Sequence, residues 1–253
     1  MSSQFDLTDP ENEALLGSCR QAKRIAVLTG AGISAESGLA TFRGDGGIWS
    51  KFKPEELANM EAFLRNPERV WEWYQYRRDV LDSANPNPGH FALAAWERIC
   101  PEFSLITQNV DGLHQAAGST RVIELHGNLK VNRCQSCGAE SDTEEIRFEG
   151  KVPKCGCGGM LRPGVVWFGE MLPEAAIREA FQSSQTCDLF LVVGTSAVVY
   201  PAASLPEIAK ESGAAVLEIN PEPTPITRWA DFSIRGNAGD ILPQLVEAIS
   251  IKL

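Results

Sequence analysis

The chain has no apolar stretch of membrane-spanning length, no basic-then-apolar leader at its start and no run of lysines or arginines. The first two absences argue against a membrane span and a secretory signal, so a cytoplasmic location is expected. The third matters because the net charge is −10, from 23 Lys and Arg against 33 Asp and Glu. A surface of that sign repels nucleic acid and anionic lipid unless a local basic patch intervenes. Neither is expected as a partner. Internal repeats and low-complexity tracts are also missing. The seven cysteines are odd in number, and four of them are bunched between residues 134 and 157. That is not the disulfide framework of a small secreted domain, and a reducing compartment is expected.

What is present suits a soluble globular protein. Of 253 residues, 43% are apolar and 22% charged, enough for one large domain or a domain plus a small module. Short, continuous apolar runs recur at 24–29, 103–107, 122–125, 188–193 and 215–219. Runs of this kind suit strands buried on both faces, and so a parallel, doubly wound α/β sheet. Helical stretches are expected at 10–23, from Pro54 to about Ala84, at 90–99, 111–117 and 201–212, and near 239–251. Asn66-Pro67 reads as an N-cap followed by proline at the first helical position. Residues 127–162 lose the α/β rhythm. Together with about 46–87 they are expected to form a smaller module.

Polar residues gather where the strands end. Thr107-Gln108-Asn109-Val110-Asp111 follows one run, His126-Gly127 another, Gly194-Thr195-Ser196 a third and Asn220-Pro221-Glu222 a fourth. In an open α/β sheet, ligands bind outside the carboxyl ends of the strands. Turn chemistry explains any one of these ends, but not all together. After the first strand, Gly30-Ala31-Gly32-Ile33-Ser34-Ala35 has the G-x-G-x-x-A spacing of dinucleotide sites. The acid that should end a second strand about 20 residues on in a dehydrogenase is missing. Residues 41–49 are instead a glycine-rich loop, Thr41-Phe42-Arg43-Gly44-Asp45-Gly46-Gly47-Ile48-Trp49. Dinucleotide binding without hydride transfer is the reading that remains.

Cys134-x-x-Cys137-Gly and Cys155-x-Cys157-Gly-Gly form two knuckle-like pairs. Four thiolates complete a tetrahedral zinc shell and leave no open position, so the metal would be structural. The second pair is one residue shorter than the usual C-x-x-C. Free thiols or a redox pair are the alternative. Cys19, Cys100 and Cys187 read as small core residues.

These motifs, with Arg162-Pro163-Gly164-Val165-Val166-Trp167-Phe168-Gly169-Glu170, resemble the sirtuins, NAD-dependent protein deacylases, in order from about residue 20 to 245. The resemblance implies one catalytic unit. Its Rossmann-like large domain would span about 18–45, 88–126 and 163–253, and its small helical and zinc-ribbon domain about 46–87 and 127–162. NAD would be consumed as co-substrate. The acyl-lysine oxygen attacks the nicotinamide ribose, nicotinamide leaves, and His126 acts as general base on a ribose hydroxyl. The products are free lysine, nicotinamide and O-acyl-ADP-ribose. An imidazole titrating near neutrality suits that task.

By the same resemblance, Asn109 joins His126 in catalysis. Gly30, Ala31, Gly32, Ser34, Phe42, Arg43, Trp49, Gln108, Asn109, Asp111, Gly194, Thr195, Ser196, Asn220, Glu222 and Ala238 would contact NAD. Val165, Val166, Phe168, Gly169, Glu170 and Val199 would hold the substrate peptide as an added strand. Many sirtuins have Asp before Phe-Arg, where this chain has Thr41. Tyr74 and Arg77, three apart on a helix, share a face and match the Tyr-x-x-Arg of sirtuins that remove succinyl and malonyl groups. An arginine fork fits a carboxylate, and the tyrosine adds a hydroxyl donor. A mono-ADP-ribosyltransferase and a non-catalytic NAD or ADP-ribose sensor are the competing readings.

Overall fold

The computed structural model describes residues 10–42, 47–48, 53–143, 146 and 148–250. Six strands form one sheet in the order β3-β2-β1-β7-β8-β9. They are β1 (Arg24–Thr29), β2 (Glu102–Thr107), β3 (Val122–Glu124), β7 (Leu189–Val193), β8 (Ala215–Ile219) and β9 (Phe232–Ile234), and each pairs with its neighbours in parallel. This is the Rossmann-like order, in which the strand sequence reverses direction between β1 and β7.

The apolar runs are continuous because alternate side chains enter two different cores. Ile25 and Val27 of β1 pack with α1 (Pro10–Gln21), α6 (Pro88–Ile99) and α10 (Ala238–Ser250) on one face. Ala26 and Leu28 pack on the other face with α8 (Glu174–Thr186) and α9 (Leu205–Glu211). The five expected strands of the large sheet are all present. Strand β9, with only three residues, and helix α8 fall in segments whose pattern suggested no element.

Three helical expectations need correction. The stretch 54–84, which follows the short helix α2 (Ala31–Ala35), is not one helix but three: α3 (Pro54–Leu57), α4 (Met60–Arg65) and α5 (Pro67–Asp82). Side-chain caps restart the chain twice. Asn59 accepts a hydrogen bond from the Ala62 amide at 2.7 Å, and Asn66 one from the Arg69 amide at 3.1 Å. An asparagine oxygen that satisfies an otherwise orphaned amide makes a new helix start favourable. Residues 111–117 hold only a single turn, α7 (Leu113–Ala116), and 201–212 open with a 3-10 turn (Ala202–Ser204) before α9.

Residues 127–165 build a three-stranded antiparallel sheet in the order β5-β4-β6, from β4 (Gly127–Cys134), β5 (Glu140–Asp142) and β6 (Leu161–Val165). It packs on α5 through a separate core that includes Trp71, Tyr74, Leu129, Leu161 and Trp167. Two buried side chains join helix to sheet. The Trp71 indole donates to the Leu161 carbonyl at 3.0 Å, and Arg78 donates to the Leu129 carbonyl at 2.8 Å and to Asn132 Oδ1 at 3.0 Å.

Candidate active site

The carboxyl ends of β1, β2, β7 and β8, with His126 just beyond β3, open on a cavity of about 540 Å³. Its far wall comes from α5 and the segment after β6. Gly30, Ala31, Gly32, Phe42, Gln108, Asn109, His126, Gly194, Thr195, Ser196, Asn220 and Glu222 all line it. So do Tyr74, Arg77, Val165, Val166, Phe168, Gly169, Glu170 and Val199.

Glycine is needed here first for chain packing. The Gly30 amide donates to the Val193 carbonyl at 3.1 Å and the Gly32 amide to the Gly194 carbonyl at 2.7 Å, pinning the β1 loop to the β7 loop. Gly194 has φ +58°, and a methyl group there would lie 2.4 Å from the Ile33 nitrogen. Only glycine tolerates both the left-handed backbone and that approach.

His126 sits where the chain leaves the large sheet for the small one. Its carbonyl accepts from the Val166 amide at 2.8 Å. The next residue, Gly127, turns at φ +77°, where a Cβ would meet the Gly164 oxygen at 2.2 Å. His126 Nδ1 lies 2.9 Å from the Gln108 carbonyl. A carbonyl only accepts, so Nδ1 carries the proton and Nε2 keeps its lone pair. Burial pushes the imidazole below its ordinary pKa, against the opposing effect of the Gln108 bond. It is therefore neutral at pH 7, the form a general base requires.

Behind this wall lies a buried polar cluster. Asn109 donates from its amide nitrogen to the Gly30 carbonyl at 3.1 Å and to Ser34 Oγ at 3.2 Å. Ser34 donates in turn to Asp111 at 2.8 Å. Ser34 and Asp111 do not reach the large cavity. They line a smaller one of about 170 Å³ that shares Ala31, Phe42, Arg77, Asn109 and Val110 with it. His90 and His114 pack beneath, their rings tilted at a centroid distance of 4.9 Å, and burial pushes both imidazoles well below the usual range.

On α5, Tyr74 is buried and its hydroxyl accepts from the Trp167 indole at 2.8 Å. That leaves the tyrosine hydrogen for another acceptor. The Arg77 guanidinium lies among the rings of Phe42, Trp73 and Tyr74, with centroids 5.1, 5.0 and 5.7 Å away. Among the described residues no carboxylate forms an ion pair with it. Burial lowers its pKa, against the favourable electrostatic effect of Tyr74 and Asp111. Arg78, by contrast, points into the small sheet.

Several expected residues stand differently. Glu170 lines the cavity, but its carboxylate is committed to Arg162 and to the Trp167 amide at 2.8 Å. It shapes the segment 165–170 from within. Ala238 is buried at the start of α10, beside Gly89, and is not among the cavity-lining residues. Arg43 and Trp49 lie outside the described residues. Trp73 and Leu172 also line the cavity, although the sequence reading gave them no role, and so do Trp167 and Tyr200, within and beside the segments expected to hold the peptide. Trp73 could have been flagged by its helical spacing of four from Arg77.

The four sulfurs of Cys134, Cys137, Cys155 and Cys157 lie within 4.8 Å of one another. Cys134 and Cys157 are 3.6 Å apart, Cys137 and Cys155 3.7 Å. A tetrahedron of sulfurs about 2.3 Å from zinc has edges of about 3.8 Å, so the set fits that ion. These separations are far too long for disulfides, near 2.05 Å. The shorter second knuckle does not spoil the geometry. Cys19, Cys100 and Cys187 are buried and unpaired.

The model of the family described as "Sir2 family" matches residues 30–201. A protein from Aquifex aeolicus named NAD-dependent protein deacylase is 56% identical over 229 residues, covering 90% of this chain and 96% of that protein. A crystal structure of a Sir2 homologue in complex with NAD superposes with a TM-score of 0.91 at 48% identity, over 99% of this chain and 96% of the other. A Sir2 protein bound to a myristoylated histone peptide gives 0.77 at 38% identity, over 96% and 97%.

Proposed function

This chain belongs to the Sir2 family and is an NAD-dependent protein deacylase, and from that premise we propose that it prefers lysines carrying acidic acyl groups, succinyl or malonyl. The observation that carries the preference is Arg77. A guanidinium held among three aromatic rings on the cavity wall, with no direct ion pair among the described residues, can take an anion from a ligand. The free hydrogen of the Tyr74 hydroxyl supplies a second donor beside it. An acyl chain ending in a carboxylate offers what both lack.

In this reading NAD supplies the electrophilic ribose carbon that the acyl oxygen attacks as nicotinamide departs. The chain's own residues do the rest. His126 Nε2 takes the proton of a ribose hydroxyl, while Gln108 holds the ring by its Nδ1–H. Asn109, fixed by Gly30 and Ser34, positions the nicotinamide side of the cofactor together with Asp111. Asn220, Glu222, Thr195 and Ser196 take the adenosine side. The substrate peptide lies between 165–170 and Val199, in the manner of an added strand. The division into a large part (about 18–45, 88–126 and 163–253) and a small part (about 46–87 and 127–162) belongs to the same proposal. So does a reducing, cytoplasmic setting, which free zinc-binding thiolates favour.

The test is kcat/KM for acetyl, malonyl and succinyl versions of one lysine peptide, with wild type and Arg77→Met. Leaving a buried carboxylate unpaired costs roughly 2–5 kcal/mol, so desuccinylation should fall about 30-fold or more. Deacetylation, with no distal charge to satisfy, should change far less. Equal losses on all substrates would make Arg77 structural and remove the acidic preference. Mass spectrometry of the protein substrate separates deacylation, which lowers mass, from ADP-ribosylation, which raises it.

A further inference from the structure

Glu218, one residue before the end of strand β8, is a wholly buried carboxylate, with 0% of its surface exposed. Such a charge is costly unless hydrogen bonds replace its water. Here the replacements all come from the excursion between β8 and β9 and from the residues that close it. Thr224 donates to one oxygen. Thr227 at 2.6 Å, Ser233 at 2.8 Å and Arg235 Nη2 at 3.3 Å donate to the other. Arg235 Nη2 also reaches Thr227 Oγ1 at 2.9 Å.

The guanidinium then faces the other way. Its Nη1 donates to the main-chain oxygens of Glu222 at 3.1 Å and Asn220 at 3.4 Å. The Asn220 amide side chain bonds the same Glu222 oxygen at 2.7 Å. Asn220, Pro221 and Glu222 line the large cavity. One planar fork therefore ties a buried carboxylate to the backbone that carries this stretch of wall. In the strand order, β8 and the β3 end that delivers His126 lie on opposite sides of β1. A dinucleotide whose reacting ribose sits at His126 must place its other end at 220–222.

We infer that Arg235, anchored on Glu218, is a positioning residue that sets the 220–222 loop for the nucleoside end of NAD. The inference rests on the NAD-dependent reading above. Arg235 touches neither cofactor nor substrate in this account. It fixes the carbonyls so that the Asn220 and Glu222 side chains meet the ribose without an ordering cost at binding.

The test uses the full-length protein. ADP-ribose affinity is measured by calorimetry, and KM for NAD, KM for acyl peptide and kcat are measured separately, for wild type, Arg235→Met and Arg235→Lys. With Arg235→Met, the ADP-ribose Kd and the KM for NAD should rise about tenfold, the scale of losing hydrogen bonds made by a charged donor. The kcat at saturating NAD and the KM for peptide should stay within about twofold, because the His126 end is untouched. Arg235→Lys keeps a cation beside Glu218, which preserves folding should the methionine variant not fold. A single ammonium cannot serve Glu218 and both carbonyls together. Its melting temperature should match wild type while its ADP-ribose affinity remains reduced. Unchanged ADP-ribose affinity in both variants overturns the inference. So does a parallel loss of kcat, both KM values and melting temperature, which marks a merely structural residue. Failure of the wild type itself to bind ADP-ribose would sink the NAD reading instead, a distinguishable result.

Discussion

At the scale of single residues, the proposed chemistry centres on His126. Its tautomer is fixed by one carbonyl, its charge state by burial and its location by Gly127. His126→Ala should retain fold and zinc yet lose NAD-dependent deacylation by a factor on the order of 10²–10⁴, the usual contribution of a positioned general base. Single-turnover assays with purified variant would check this. A variant that keeps more than a few per cent of activity would falsify the base role. Neutral His126 should also leave the basic side of the pH–rate profile flat, since no further deprotonation of the ring occurs there. The other two imidazoles, His90 and His114, belong to the support. Sequence distance hid their contact, because α6 and α7 bring them together across 24 positions.

At the scale of elements, the loops at the ends of β1 and β7 act as one piece. Gly194→Ala places a methyl in the left-handed region and against the backbone of Gly32 and Ile33. Gly38→Ala meets the same kind of strain at φ +84° but has nothing within 4 Å. The two variants therefore separate strain from close approach. Gly38→Ala should cost about 1–2 kcal/mol. Gly194→Ala should cost clearly more, because backbone cannot move aside as a side-chain tip can. Urea unfolding of both measures the difference, and equal costs would show that loop-to-loop packing is not what demands glycine at 194. The helices were partly legible in the same way. Asn66-Pro67 announced a helix start that the structure contains, whereas the Asn59 cap passed unnoticed because no proline followed it.

On the scale of the whole molecule, two sheets of opposite character share one cavity. The large parallel sheet draws stability from two apolar cores. The small antiparallel sheet has one short core shared with α5 and the cysteine cluster at its edge. Purified protein should carry about one zinc per chain, as four closed thiolates imply. Zinc in such sites can contribute on the order of 10 kcal/mol to folding of small domains. Chelation should accordingly loosen residues 127–165 and the facing side of α5, with β1 and β7 still protected. Hydrogen exchange with and without chelator reads this directly. Uniform loss of protection in both sheets, or metal-free protein with four reactive thiols and no change on adding zinc, would overturn it.

The sequence by itself determined whatever depends on neighbours along the chain. Continuous apolar runs required strands buried on both sides, and polar residues at their ends required a ligand-binding rim. The cysteine pairs pointed to a closed site, with free thiols or a redox pair as the alternative. The resemblance of ordered motifs to the sirtuins came from the same local information. Tertiary structure decided what depends on residues meeting across distance. It alone put Arg77 among Phe42, Trp73 and Tyr74, and it gave the Glu170 carboxylate to Arg162 rather than to open solvent. Strand β9 is too short to show a period, so the reach of Arg235 from its end to Glu218 and the 220–222 loop could not be read beforehand. Periodicity reports which face of an element is buried. It is silent on which partner fills the buried space, because that choice is made by packing between elements that the chain order keeps apart.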